Sequence, residues 1–343
     1  ALPDSLALTS AFTNIRLESF LLTADSVREA SKLVGDDGLL VLYNYYRHDW
    51  LVERIAGMVE AARGSPPFVT TYGASGRAAV VMAGPRLRRL PRALDAPYAE
   101  RPGLTAPGRG IELPIVGMGR LHNSPGASLS TDDWPFIYLE RPALPALYIG
   151  SVVLGLAIAL GMTLLAAPRE TLRRFSPHFF FLGAAFMLLE TRSLVTFALL
   201  FGSTWVVNSL VFFAILASVL LAIGVNAWCP RMSPRPLYWL LFASLAANLL
   251  VPVQTLLSIE TPALRYGLSS ALAFLPIFVA NLVFSRSFRE TASADVSFAS
   301  NLLGAMAGGL LENVAMVTGY QALLLVVMAF YLAAARCQTD PAR

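Results

Sequence analysis

The stretch PHFFFLGAAFMLLETRSLVTFALL, residues 177–200, decides the fold class of this protein. Its length and apolar character match a helix that crosses a lipid bilayer, which needs about 20 residues. Six other stretches of the same kind lie around it, so we predict seven membrane spans. The predicted spans cover residues 145–167, 177–200, 204–228, 236–257, 263–285, 296–318 and 320–335.

The composition agrees with a membrane protein. Hydrophobic residues make up 56% of the chain and charged residues 14%, whereas a soluble domain holds about 45–50% and about 25%. The net charge of +4 averages two unlike parts of the chain. It therefore indicates no nucleic acid, and the partners we expect are membrane lipids and other membrane-protein subunits. Two cysteines and three scattered histidines predict neither a disulfide framework nor a metal site, and no cofactor is expected for this chain alone.

The part of the chain before the spans divides into two predicted segments. Residues 1–84 are predicted to form a small α/β domain. Residues 85–144 are rich in proline, glycine and arginine, which predicts an irregular connector that ends in an aromatic interfacial segment. The pair Asp132-Asp133 within it is more typical of a cap than of a metal site. Residues 145–335 then form the membrane domain and 336–343 a tail.

Local signals predict the elements of the α/β domain. In chain order they are a helix over 25–33 capped by Thr23, a strand over 39–43, a helix over 50–62, and strands over 68–72 and 77–83 joined by a glycine-rich hairpin turn. The strand over 39–43 is apolar throughout, as buried strands of parallel sheets are. Leu51, Ile55, Met58 and Val59 share one face of the second helix and are predicted to lie in the core.

Five motifs together carry a family resemblance. They are ALPDS (1–5), VLYNYYR (41–47), TDDWPF (131–136), LLFGSTWVVN (199–208) and NLLGA (301–305). With these the chain resembles the membrane-embedded spermidine-synthase-like proteins of bacteria. Its α/β part is similar to the second half of a class I methyltransferase-type Rossmann fold, which ends in a reversed last strand. The resemblance implies a mainly α, polytopic membrane bundle that carries a partial Rossmann-like domain.

The resemblance also bears on activity. In that fold an S-adenosylmethionine-type cofactor lies on a glycine-rich loop after the first strand, and an acidic residue after the second strand binds its ribose. Both belong to the half of the fold that would precede Ala1. The Gly-x-Gly at Gly117–Gly119 has no helix after it, so we interpret it as a chance match. The resemblance implies a role for Asp4 as a catalytic base or amine anchor, whereas a turn or helix cap is the alternative.

A polar and aromatic cluster follows the strand over 39–43. Its members are Tyr43, Asn44, Tyr45, Tyr46, Arg47 and His48. Ligands bind at the carboxyl ends of strands in α/β sheets, so the cluster could line a pocket. It could equally face another protein, because tyrosine and arginine are favoured at interfaces.

Arginines in the loops between the predicted spans orient the membrane domain. One side holds nine of them: Arg169, Arg173, Arg174, Arg231, Arg235, Arg286, Arg289, Arg336 and Arg343. The other side holds Arg141 and Arg265. Positive charge in short loops stays in the cytoplasm. We therefore predict a protein of the bacterial inner membrane with a cytoplasmic C-terminus and a periplasmic N-terminal domain.

Polar residues inside the predicted spans need partners, because they are costly in lipid. They include Glu190, Arg192, Asn208, Asn248, Asn281, Asn301, Glu312 and Asn313. We predict that Arg192 pairs with Glu312 and that the asparagines hydrogen-bond between helices; a proton or substrate path is the alternative. Ser300, Gly304 and Gly308 have the spacing of a close helix–helix contact, with a neighbour in this chain or in a partner.

Two hypotheses for function follow. The first is a non-catalytic membrane subunit that helps to assemble or stabilise a larger membrane complex; an energy-transducing assembly, respiratory or photosynthetic, is its narrower form. The second is an enzyme like an aminopropyltransferase or methyltransferase, whose nucleotide-binding half lies upstream or on another chain. The missing glycine-rich loop favours the first hypothesis, so an enzymatic role for this chain alone is not the expectation. An S-adenosylmethionine-type ligand is expected only under the second.

Overall fold

The chain divides into two compact units, Ala1–Ala143 and Leu144–Arg343. The computed structural model describes most of both. The described residues are 17–46, 48–73, 78–89, 91, 95–106, 113–123, 128–166, 174–202, 205–229, 233–251, 255–256 and 258–338.

The described part of the first unit contains two α-helices and five strands. In chain order they are a 3-10 helix (Leu17–Leu22), α1 (Ala24–Lys32), β1 (Leu40–Tyr45), α2 (Asp49–Arg63), β2 (Phe68–Tyr72), β3 (Ala78–Ala83), a 3-10 helix (Pro85–Arg89), β4 (Ala99–Ala106) and β5 (Leu113–Arg120). The two predicted helices and the strands near 39–43, 68–72 and 77–83 are confirmed to within a few residues. The residues of the predicted hairpin turn lie largely outside the described part of the chain.

Local chemistry explains where the two helices begin and end. Thr23 caps α1: its hydroxyl accepts a hydrogen bond from the backbone nitrogen of Ser26, and the Ser26 hydroxyl accepts one from the nitrogen of Thr23, both at 3.1 Å. This reciprocal pair satisfies two backbone donors that a helix start leaves open. Helix α2 ends at Gly64, whose φ of 69° suits glycine at a helix C-terminus.

The strands form one antiparallel sheet in the order β1-β3-β2-β5-β4. Strand β3 lies between β1 and β2 and runs opposite to both, so β1 and β2 are parallel to each other. The prediction of a buried strand over 39–43 is wrong, because β1 is at the edge of the sheet and its residues are alternately half-buried and exposed. An apolar run cannot reveal whether a strand will have a neighbour on each side.

The predicted irregular connector over 85–144 is also corrected, because it contains β4 and β5. Strand β5 pairs with β2 and with β4 and so extends the sheet. These strands were not predicted because their sequences contain proline and glycine, which are typical of loops. Gly117 and Gly119 lie within β5, where Tyr98 and the carbonyl of Pro97 leave no room for a side chain. The Gly-x-Gly is therefore a packing feature of the sheet and not the start of a nucleotide-binding loop.

One face of the sheet carries the core of the first unit. Leu51, Ile55, Met58 and Val59 of α2 are each at most 2% exposed, as their spacing predicts. They pack with α1 and with the side chains of β1, β2 and β3 that face them, among them Val69 and Val81.

The second unit is a bundle of helices. They are α3 (Ala146–Ala166), α4 (Pro177–Phe201), α5 (Trp205–Trp228), α6 (Pro234–Leu250), α7 (Pro262–Glu290), α8 (Ala294–Leu311), a 3-10 turn (Glu312–Val314), α9 (Ala315–Thr318) and α10 (Tyr320–Cys337). Helix α4 packs against α8, α10 and α7, and α7 packs against α5 and α6.

Five helices in the described part of the chain are long and apolar enough to cross a membrane. They are Ala146–Leu165, Pro177–Phe201, Val207–Trp228, Pro262–Glu290 and Tyr320–Cys337. The predicted count of seven is not confirmed. The fourth predicted span forms α6, which has only 17 residues. The sixth forms α8, which has 18 residues and passes into the 3-10 turn at Glu312.

Hydrogen bonds define the directions of the helices. The start of α4 meets the start of α8, where Ser176 N donates to Ser300 Oγ at 3.1 Å, and the end of α10, where His178 Nδ1 lies 2.8 Å from the carbonyl oxygen of Ala334. The ends of α5 and α7 also meet, since Arg289 donates to the carbonyl of Asn226 at 2.7 Å. We call this end of the bundle the basic end. Its described arginines are Arg174, Arg235, Arg286, Arg289 and Arg336.

Candidate functional site

The face of the sheet at β1 on which Val41, Tyr43 and Tyr45 lie is exposed. Val41, Tyr43 and Tyr45 of β1 are 41%, 63% and 53% exposed. Beside them, Met82 and Val80 of β3 lie opposite Val41 and Tyr43 in the strand register. We call these five residues the open patch. Among the described residues no strand pairs with the outer edge of β1.

The structure separates the predicted cluster at the end of β1. Tyr43 and Tyr45 belong to the open patch, whereas Tyr46 is 3% exposed and packs in the core. The side chain of Asn44 accepts a hydrogen bond from the backbone nitrogen of Tyr45 at 2.8 Å. His48 stacks on Trp50 with ring centroids 5.6 Å apart.

Of the described members of this cluster, Tyr43, Asn44 and Tyr46 line one groove, whose other lining residues are mainly apolar. Arg47 and Asp4, the other two candidates, lie outside the described residues.

An apolar groove flanks the inner side of β1. It has a volume of about 270 Å³ and lies between β1 and the segment that leads into α1. Leu22, Val27, Leu40 and Leu42 are among its lining residues.

Arg54 is a buried cation that sequence reasoning missed. It is 2% exposed on the apolar face of α2. Its guanidinium donates to the carbonyl oxygens of Ile137, Leu139 and Glu140 at 2.7, 2.5 and 2.7 Å, and to Ser128 Oγ at 3.0 Å. The sequence contained a signal for this buried cation, because Arg54 lies between Leu51 and Ile55 on the apolar face of α2.

The environment of Arg54 indicates a structural role. The guanidinium carbon lies 4.8 Å from the ring centroid of Trp50 and 5.5 Å from that of Trp134. Burial lowers the pKa of Arg54 to about 10, and the nearby charge of Glu140 acts in the opposite direction. The group therefore stays charged at neutral pH and fastens residues 128–140 to α2.

Asp132 fastens the same segment to the start of α1. Its carboxylate accepts from Thr23 Oγ1 at 2.7 Å, and its backbone nitrogen donates to Asp25 Oδ2 at 2.9 Å. Burial raises the pKa of Asp132, and the hydroxyl of Thr23 partly offsets this. The described residues contain no group of three or more metal-ligating side chains. The two hydrogen bonds to Thr23 and Asp25 make Asp132 a structural contact.

A basic cleft of about 550 Å³ lies at the opposite end of β1 and β3 from His48. Arg63, Arg88, Arg120 and His122 line it, together with one carboxylate, Asp95. Arg120 Nε binds Asp95 Oδ1 at 2.6 Å. Arginines therefore outnumber carboxylates here, an arrangement that can attract a small anion. The arginine-rich sequence over 86–92 was the signal in the sequence that could have predicted this basic cleft.

The polar residues of the bundle act mainly as contacts between helices. The Asn248 side chain donates to the carbonyl of Leu272, Asn281 to Ser218 Oγ, and Asn301 to the carbonyl of Phe179, at 2.6, 2.9 and 3.2 Å. These bonds join α6 to α7, α7 to α5 and α8 to α4, as predicted for interhelical asparagines. Asn313 instead bonds within its own turn, to Leu310. Asn208 is half-buried in the first turn of α5.

The pairing of Arg192 with Glu312 remains a prediction. Glu312 accepts a hydrogen bond from Thr191 Oγ1 at 2.8 Å, and Arg192 donates to Thr196 Oγ1 at 3.2 Å. Both bonds still tie charged groups to neighbouring hydroxyls. Glu190 is half-buried on the same helix. The spacing of residues along α4 could not reveal that Thr191, one position before Arg192, faces α8.

Small residues bring α8 against α4. A side chain at Gly304 would collide with the carbonyl of Phe180, and one at Gly308 would place its Cβ 2.5 Å from the carbonyl oxygen of Ala184. Ser300 accepts from the backbone of Ser176 at the same interface. The predicted close packing is therefore confirmed, and the neighbour belongs to this chain.

The fold and these contacts define a helical membrane protein with a small antiparallel α/β unit. Comparison with protein-family models, curated proteins and solved structures found no significant match.

Proposed function

We propose that this protein is a non-catalytic integral membrane subunit that helps to hold a larger membrane complex together. The open patch carries the proposal. It joins an uncovered strand edge to two exposed tyrosines and a valine on one face. The partner we propose is another protein of the same membrane, and membrane lipids surround the bundle.

Exposed strand edges are usually protected, because their free backbone groups recruit other strands. Natural proteins place lysine, proline or a bulge there. Strand β1 has the sequence LVLYNY and carries none of these in its own residues. Tyrosine contributes strongly to protein interfaces, since it buries a large ring and keeps a polar tip. These features support coverage of the open patch by a second polypeptide.

Helix α3 gives independent support within the membrane unit. Only 6% of its apolar segment is buried inside the chain, compared with 61% for Pro177–Phe201. Because α3 makes so little contact with its own bundle, nearly its whole surface is available for contact with other molecules. Lipid or a helix of a partner subunit can cover it, and an assembly subunit would use such a surface.

We also propose seven membrane passes and a bacterial inner-membrane location. Helix α6 runs antiparallel to α7, because its start lies near the end of α7 and Asn248 near its end binds Leu272. Helix α8 runs alongside α4 from Ser300 to Glu312. These directions support crossing by α6 and by the broken α8–α9 segment.

The basic end would then face the cytoplasm, since positive charge stays there. The described arginine at the start of α7, Arg265, belongs to the opposite end of that helix. This orientation makes the C-terminus cytoplasmic and the first unit periplasmic. S-adenosylmethionine-type compounds are cytoplasmic metabolites, so a periplasmic unit favours contacts over catalysis.

One observation favours the enzyme hypothesis as a second candidate. The order β1-β3-β2, with a reversed strand between two parallel ones, is the ending expected of a methyltransferase-type sheet. The nucleotide-binding half would then continue the sheet at the edge of β1. Both hypotheses use the same surface, and they differ in whether a nucleotide site is completed there.

Crosslinking from the open patch tests the subunit proposal. A photoreactive phenylalanine at Tyr43 of the full-length protein, in its own membrane, is expected to capture one defined partner protein. The same group at Leu33, which is 88% exposed at the end of α1, is the matched control and should capture none. The Tyr43→Lys/Tyr45→Lys variant should lose the large complex on a native gel and keep its helical circular dichroism.

Two results would contradict the subunit proposal. One is an unchanged complex in the double lysine variant. The other is micromolar binding of S-adenosylmethionine or its decarboxylated form by the purified protein, measured by calorimetry, which would favour the enzyme.

A further inference from the structure

We propose that the crevice at the basic end, between α6, α7 and α10, is a binding site for one anionic glycerophospholipid. It has a volume of about 860 Å³ and is the largest of the cavities described for this protein. Pockets for small ligands have volumes of about 300–1,000 Å³. This inference does not depend on the proposed role as a subunit.

The walls of the crevice are suited to acyl chains. Trp239 and Phe242 of α6 lie on one side, and Met328 and Leu332 of α10 lie on the other. Trp239 is 77% exposed. Tryptophan is enriched at the membrane interface, where an apolar ring can lie beside lipid tails.

The mouth of the crevice is positively charged. Arg235 in the first turn of α6 is exposed, and Arg286 of α7 binds Glu290 with an N–O distance of 2.5 Å. Two arginines and one carboxylate therefore line the mouth. A phosphate diester carries the negative charge that this mouth can accept, and basic pockets between membrane helices at the cytoplasmic side bind anionic head groups.

The buried hydroxyl of Tyr238 supplies a second indication. Tyr238 lines the crevice, is 6% exposed, and its hydroxyl has no hydrogen-bond partner among the described residues. A buried polar group without a partner is costly, and a ligand that supplies one removes this cost. The phosphate and ester oxygens of a phospholipid are acceptors that suit it.

The lining residues occur in the order that a lipid requires. Arg235, Arg286 and Gln338 belong to the ends of their helices at the basic end, whereas Phe242 and Met328 lie two or more turns further along α6 and α10. A head group at the arginines would therefore direct its tails along the apolar walls. A water-soluble anion would leave those walls uncovered, so the chemistry favours a lipid.

Native mass spectrometry of the full-length protein released from nanodiscs tests the site. We expect retained phosphatidylglycerol in preference to phosphatidylcholine, and about tenfold weaker retention in Arg235→Gln. The matched control is Arg265→Gln, because Arg265 is a half-buried arginine in the first turn of an apolar helix, at the other end of the bundle. It should retain the lipid as the unmodified protein does.

Two further variants separate this site from general attraction to charge. Ala329→Trp should fill the crevice and reduce retention while leaving all arginines in place. Tyr238→Phe should weaken retention without altering the helical circular dichroism. Equal retention of both lipids, equal effects of the two arginine variants, or displacement of the lipid by millimolar inorganic phosphate would each overturn the proposal.

Discussion

Arg54 illustrates how one residue organises the first unit. A buried charge is costly unless its hydrogen-bonding groups are matched. Three backbone carbonyls and one hydroxyl accept from the two terminal nitrogens of Arg54, and two tryptophans flank the guanidinium, whereas Nε has no partner among the described residues. The carbonyls come from residues 137–140, which form no regular secondary structure and so need other donors.

We expect Arg54→Met to release residues 128–140 from α2. The variant leaves the carbonyls of Ile137, Leu139 and Glu140 without their donor, at a cost of about 3 kcal/mol or more. Hydrogen–deuterium exchange of this segment should accelerate at least about tenfold. Arg28→Met is the matched control, since Arg28 makes an exposed ion pair with Asp25 and such pairs contribute at most about 1 kcal/mol. Unchanged exchange in Arg54→Met would show that the segment is held by other contacts.

At the scale of elements, the contact between α4 and α8 depends on glycine. Without a hydrophobic driving force in lipid, helices associate through close packing and hydrogen bonds. Gly183, Gly304 and Gly308 let the two backbones approach, and Asn301 and Thr191 then bond across the interface. The small residues therefore allow the short distance between the two helices, and the polar contacts across the interface depend on that distance.

Gly304→Ala is expected to destabilise the bundle. The added methyl group would meet the carbonyl of Phe180, and overpacking of this kind costs about 1–3 kcal/mol. Gly155→Ala in α3 is the control, because a Cβ there meets no atom and alanine favours a helix by about 1 kcal/mol. Thermal unfolding in detergent should show a lower midpoint for Gly304→Ala alone. If both variants unfolded at the same temperature, the contact between α4 and α8 would not determine stability.

At the scale of the whole molecule, charge and helix direction together predict the topology. At the basic end, the exposed Cys229 follows the end of α5, and the half-buried Cys337 is the last residue of α10. Ser258 and Thr318 are exposed residues of the segments that would lie on the other side if α6 and the α8–α9 segment both cross. These four positions make the count of passes testable.

We expect an impermeant maleimide to leave Cys229 and Cys337 unmodified in spheroplasts. Single cysteines placed by Ser258→Cys and Thr318→Cys, in a background with the native cysteines replaced by serine, should be modified. Detergent should make all four positions reactive, which controls for burial. Modification of Cys229 from outside would reverse the orientation, and protection of Ser258→Cys would mean that α6 does not cross.

Sequence reasoning succeeded where the signal is local. The cap at Thr23, the apolar face of α2 and the glycine spacing of α8 each depend on residues within a few positions of one another. It failed where partners are distant in the chain. The place of β1 at the sheet edge, the pairing of β5 with β2, and the bond from Thr191 to Glu312 depend on residues about 40 to 120 positions apart.

The sequence by itself determined the class of this protein and the approximate bounds of its helices. Apolar runs of membrane length must become helices, because lipid offers no other partner for backbone hydrogen bonds. Only the tertiary structure decided that β1 carries the open patch, that Arg54 fastens residues 128–140, and that α6, α7 and α10 enclose a crevice with a basic mouth. These features arise where separate segments meet, and no single stretch of sequence contains the information about which segments those are.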